Sequence, residues 1–158
     1  MPVQTTYNQF NPVAVPGMLF DFASDASGIV SFESATALPA GRFVSLDANG
    51  RAVLANGSLP IIGVTVYSAT KYQQPSGYPA NTIVPILRKG RIFAEKAVGA
   101  TAPAFGVIAQ RHASDGTVVS TAGVNVIGAS GYQRGTTAQL VIPTNCALVE
   151  LNLPLVAA

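Results

Sequence analysis

The chain has 158 residues, 49% of them apolar and only 10% charged, with nine basic against seven acidic residues and a net charge of +2. That length is one domain's worth and enough for a hydrophobic core, and so slight a positive balance does not by itself mark a nucleic-acid binder. Charge well below the roughly 25% of an ordinary domain leaves much of the surface uncharged, which anticipates oligomer interfaces or docking onto a partner.

Residues 1–27 read as an extended arm. "MPVQTTYNQFNPVAVPG" carries Pro2, Pro12 and Pro16, apolar anchors at Tyr7, Phe10 and Val15, and no charge, and Met18 follows it as a further anchor. It has no basic n-region followed by an apolar h-region, so no secretory signal is read there. Such a segment is ordered by lying on something: its own body, a neighbouring subunit or a larger surface. Residues 28–158 read as a single β-rich domain. Helical periodicity is nearly absent, and Gly and Pro punctuate the chain throughout. Short β-branched runs recur instead: "GIVSFE", "RFVSL", "RAVLA", "PIIGVTVY", "TIVPIL", "RIFAE", "FGVIA", "GTVVST", "VNVIG", "AQLVI" and "CALVELNL". Runs of this length between turn residues predict many short strands in a sandwich or barrel. The apolar stretches are broken before the ~18–20 residues a spanning helix needs, so no membrane partner is expected.

Asn49-Gly50 and Asp115-Gly116 predict hairpin turns, and Pro39 with Gly41 predicts a turn before a strand. Residues 68–81 read as a long loop exposing Tyr72 and Tyr78. "VPILRKGRIFAE", residues 84–95, gathers Arg88, Lys89 and Arg91 around Gly90 and reads as a hairpin with a compact positive tip. The tip either faces water or meets carboxylates. "GASGYQRGTT", residues 128–137, reads as a flexible loop, because it lacks the lysine and the following helix of a phosphate-binding loop.

No catalytic set is legible. His112, Ser114 and Asp115 lie close together on one turn, where a converging triad rarely forms. One histidine, one cysteine and scattered acids offer no zinc spacing, so neither a metal nor another cofactor is expected. Cys146, in "NCALVEL", reads as a buried structural thiol. Two binding classes stay open beside a structural role: a glycan- or host-surface-binding module using Tyr67, Tyr72 and Tyr78, and a small β-barrel binder of single-stranded nucleic acid using Arg88, Lys89 and Arg91. The second is disfavoured, with Phe93 as the one aromatic close by in sequence.

The order of the pieces carries a resemblance. The uncharged arm with "PG" near residue 17, the "PAGRFV" turn and strand, "VPILRKGR" and the closing "VELNLP" are similar to the cement, or decoration, proteins of tailed-bacteriophage heads. "ATAPAF", residues 100–105, departs from the Gly-Asp type of turn common in that family. The resemblance implies an all-β, jelly-roll or barrel-like β-sandwich without catalysis or cofactor. It implies a protein made in the host bacterial cytoplasm and bound to the outer surface of the virion's icosahedral shell, with the major capsid protein as partner. Homo-oligomers at symmetry axes are implied as well, dimers favoured and trimers possible. On this reading the partner-binding residues are Tyr7, Phe10, Val15, Met18, Arg88, Lys89 and Arg91.

Overall fold

The computed structural model describes residues 14–20, 28–57, 59–68, 77–132, 142 and 144–154. Ten strands follow: β1 (Ile29–Glu33), β2 (Phe43–Leu46), β3 (Ala52–Leu54), β4 (Ile61–Thr65), β5 (Ile83–Leu87), β6 (Lys89–Glu95), β7 (Ile108–Arg111), β8 (Val118–Val119), β9 (Val124–Gly131) and β10 (Cys146–Asn152). Each matches one of the apolar runs. The remaining run, "AQLVI", falls outside the described residues except for Ile142. The strands form two five-stranded antiparallel sheets in the orders β1-β5-β4-β2-β3 and β6-β10-β9-β7-β8. The first half of the chain therefore builds one sheet and the second half builds the other.

The two sheets pack as a sandwich. Phe43, Val64 and Leu87 of the first sheet meet Ile92, Ala94, Val126, Ala147, Val149 and Leu151 of the second in one buried cluster. Each sheet also buries part of its outer face. Leu38 and Tyr78 cover Val44, Ile62, Val84 and Ile86 on the first sheet. Ala14, Met18 and Phe20 cover Phe93, Cys146 and Leu148 on the second. Burial on both faces is why strands such as "VTV" and "CALV" read as continuous apolar runs rather than strict alternation.

Residues 14–20 of the arm lie on the body. The Gly17 N–H donates to the Phe93 carbonyl (2.7 Å), the Phe93 N–H to Met18 (3.0 Å) and the Phe20 N–H to Arg91 (3.0 Å). Leu19 thus pairs antiparallel with Ile92 along the free edge of β6, which would otherwise present unpaired backbone groups. The Tyr67 N–H donates to the Gly17 carbonyl (2.8 Å), so the same residue ties the end of the first sheet to the edge of the second. Gly17 and Gly41 touch at this seam, both with positive φ (87° and 80°). A Cβ on Gly17 would sit 2.8 Å from the Ala40 Cβ, and one on Gly41 only 2.6 Å from the Gly17 nitrogen. Two of the motifs behind the family resemblance, "PG" and "PAG", are therefore one contact.

The β2–β3 turn is a hairpin, as its sequence predicts, built differently in detail. Asp47 accepts from the Gly50 N–H (3.0 Å), and its carboxylate accepts from the Asn49 and Arg51 backbone N–H groups (2.9 and 2.8 Å). Only Gly50, not Asn49, takes positive φ. The Arg51 N–H bond, above all, holds the Asp47 carboxyl below its ordinary pKa.

Candidate functional site

The basic stretch at 84–95 is not a hairpin. β5 pairs with β1 and β4, whereas β6 pairs with β10. Arg88 is the single residue between them, where the chain crosses from one sheet to the other. Its N–H donates to Gly28 (2.7 Å), and its carbonyl accepts from Leu153 (3.1 Å). Its guanidinium turns to the chain's far end and donates to the Pro154 carbonyl (2.7 Å), leaving a buried Nε–H without an acceptor. Gly90 has positive φ (127°) but pairs with Leu151 inside the ladder rather than sitting at a turn.

The three cations are consequently split. Alternation along β6 sends Lys89, Arg91 and Phe93 to the outer face of the second sheet, with Ile92 opposite them in the core. Arg91 lies over the Tyr132 ring (4.1 Å to its centre) and 3.8 Å from Glu150, its cross-strand neighbour. Tyr132 in turn meets Phe105 and Phe20 (ring centres 5.6 and 6.1 Å apart), and Phe20 meets Phe93 edge-on at 5.9 Å. An aromatic row with a cation over it thus runs across this face. Val15 and Met18 lie half-buried in the docked segment, with Met18 packed on the Phe93 cluster. Tyr7 and Phe10 fall outside the described residues.

His112, Ser114 and Asp115 do come together on an exposed turn, but not as a relay. Ser114 Oγ is 3.1 Å and Asp115 Oδ1 3.3 Å from the same nitrogen, Nδ1 of His112. A triad needs nucleophile and orienting acid on opposite ring nitrogens. Burial opposes ionisation of Asp115, yet the Thr117 backbone N–H and hydroxyl outweigh it and lower its pKa. Cys146 is buried, and burial, reinforced by Glu95, pushes its thiol up to about 11. Among the described residues no group of His, Cys, Asp and Glu could hold a metal ion.

Two sequence readings are corrected here. Tyr78 is buried, not exposed: it pairs with Leu38, and its hydroxyl donates to the Val66 carbonyl (2.5 Å). Buried, Tyr78 does not offer a ring for stacking beside Tyr67, and Tyr72 lies outside the described residues. Residues 128–131 of the Gly-rich stretch are the end of strand β9, paired with β10, and not loop.

Arg111 went unnoticed in the sequence. It is 2% exposed and donates to the carbonyls of Gly57 (2.6 Å), His112 (3.2 Å), Ala55 (3.4 Å) and Ala113 (3.5 Å). Burial lowers its pKa. The signal was its parity with Ala109 on one strand, which points it inward.

The described residues form a two-sheet β-sandwich whose second sheet carries an aromatic row with a cation over it on its outer face. The chain belongs to the phage structural cement protein family (E217 gp24/Pam3 gp6), which matches residues 3–150, and as such it is a structural protein of the virion capsid. A chain of the solved capsid of Myoviridae phage XM1 has a similar fold, with a TM-score of 0.73 and 19% identity, over 96% of this chain and 98% of that one. No curated protein matches the sequence.

Proposed function

We propose that this protein binds the outer surface of an assembled icosahedral phage head and stabilises it against internal pressure, without catalysing a reaction. The observation that carries this reading is the match to structural cement proteins over nearly the whole chain. The surface supports it. Nine large apolar side chains are exposed among the described residues, Val98 and Ile127 the most, on a chain with few charges to keep such surfaces apart. Shell contact falls to the arm, through Tyr7, Phe10, Val15 and Met18, and to Lys89 and Arg91 just beyond the sheet crossing, while Arg88, tied to Gly28 and Pro154, holds the crossing itself. The protein acts as a homo-oligomer, dimers favoured and trimers possible, so that one unit grips several copies of the major capsid protein. Burying ~1,000 Å² of apolar surface has a gross worth of about 25 kcal/mol before association costs, so a small surplus repeated over a shell is sufficient.

The test mixes purified protein with undecorated shells and reads occupancy by electron microscopy and shell survival on heating. Saturable external decoration with a raised disruption temperature is the expected result. Binding with no gain in survival would remove the cementing role, and no binding would remove the reading altogether.

A further inference from the structure

At one end of the strands, where β4 and β9 begin and β7 and β10 finish, the sandwich carries a cleft of about 340 Å³, at the low end of the roughly 300–1,000 Å³ typical of ligand sites. Ile61 of β4 forms one wall, Val124 and Ile127 of β9 the other. Leu59, Pro154 and the buried Arg111 complete the lining. Leu59, Val124 and Ile127 are 40%, 43% and 79% exposed, so three of the exposed large apolar side chains converge on this one depression.

The charge of the cleft is unbalanced. Arg42, Arg51 and Arg91 each face a carboxylate, those of Glu95, Asp47 and Glu150. Among the described residues no carboxylate faces the other two arginines, Arg88 and Arg111. Both donate only to carbonyls, and both keep a buried Nε–H with no acceptor. Arg111 lines the cleft, and Arg88 holds the carbonyl of Pro154 on its rim. A buried cation without a counter-charge favours a negative group brought to it, the more so where apolar walls exclude water.

We propose that this cleft is a docking groove for an extended peptide segment of a partner protein, which seats an aliphatic side chain between Ile61 and Ile127 and brings a carboxylate towards Arg111. The inference rests on the cement reading in one respect only: it takes the segment's source to be the shell's major capsid protein.

Ile127 sits at the mouth and is largely exposed, so charges can be placed there without disturbing the core. The test compares Ile127→Glu and Ile127→Lys with wild type for binding to undecorated shells. The expected result is at least a tenfold loss of affinity for Ile127→Glu and a loss under threefold for Ile127→Lys, with both variants folded as wild type by circular dichroism. Equal losses in the two variants would overturn the acidic occupant, and no loss in either would overturn the groove. If wild type itself fails to bind shells, the cement reading fails and the groove is read separately. An array of six-residue peptides combining Leu or Val with Asp or Glu would then be probed with the same three proteins. Binding by wild type that Ile127→Glu loses supports the groove, and absence of binding to every acidic peptide overturns it.

Discussion

Arg111 and Cys146 are both buried, and they illustrate opposite ways to satisfy a polar group out of water. Arg111 keeps its charge by spending four donor contacts on the carbonyls of two loops, so a cation fixes the positions of residues 55–57 and 111–113. Cys146 gives up its charge instead. Its thiol is pushed up to about 11, against an ordinary 9.0, first by burial and then by Glu95, with Lys96 offsetting part. The native state therefore holds the thiol proton more tightly than the unfolded chain does. This contribution to stability is full below pH 9, declines as pH rises and is gone above about 11. Urea denaturation of wild type and Cys146→Ala should show a cost of substitution that is largest near pH 8 and shrinks steadily towards pH 11. A cost constant across that range would mean the thiol ionises as readily folded as unfolded.

Among the elements, the docked segment 14–20 matters most, because it closes the edge of β6 and roofs Phe93, Cys146 and Leu148. Residues 14–20 are the described part of the arm, and residues 1–13 and 21–27 lie outside the described residues. Removing residues 2–13 should leave the melting temperature within about 2 °C of wild type and reduce shell occupancy. Removing residues 2–20 should also strip an edge strand and its apolar cover, at a cost of several kcal/mol from lost burial, with soluble aggregates on size exclusion. Equal melting temperatures for the two truncations would show that the segment's pairing contributes nothing. The sequence made the strands legible because nearly every short apolar run is bounded by Gly, Pro, Asn or Asp. It left the partners of those strands hidden. "VPILRKGRIFAE" has the composition of a hairpin, but Leu87 pairs with Ile29 and Val64 while Lys89 pairs with Asn152. These partners lie 23 to 63 positions away along the chain, and local turn chemistry cannot see them. The inward parity of Arg111 with Ala109 was visible; the carbonyls that satisfy it were not.

For the whole molecule, building one sheet from each half of the chain makes the crossing at Arg88 the hinge of the architecture and fixes where the positive charge goes. Lys89 and Arg91 face outward beside the aromatic row, while Arg88 is committed to Pro154 and Gly28. Of the three cations, only Lys89 and Arg91 can then be exchanged without touching the join between the sheets. An exposed charge pair contributes only ~0.2–1 kcal/mol, but an arginine desolvated against a shell carboxylate contributes several times more. The double reversal Lys89→Glu with Arg91→Glu should lower shell occupancy at least tenfold at low salt. Its binding should also lose most of the salt dependence that wild type shows, and its melting temperature should fall by no more than a few degrees, because the described contacts that Arg91 loses, the Tyr132 ring at 4.1 Å and the Glu150 carboxylate at 3.8 Å, lie on the outer face of the sheet and not in the core. Arg88→Ala should do the reverse, costing stability by freeing Pro154 and weakening binding only as folding is lost. Full occupancy by the double variant at every salt concentration would mean that Lys89 and Arg91 face solvent in the decorated head. A shift of single-stranded nucleic acid by wild type at physiological salt, abolished in the double variant, would instead identify this face as a polyanion site.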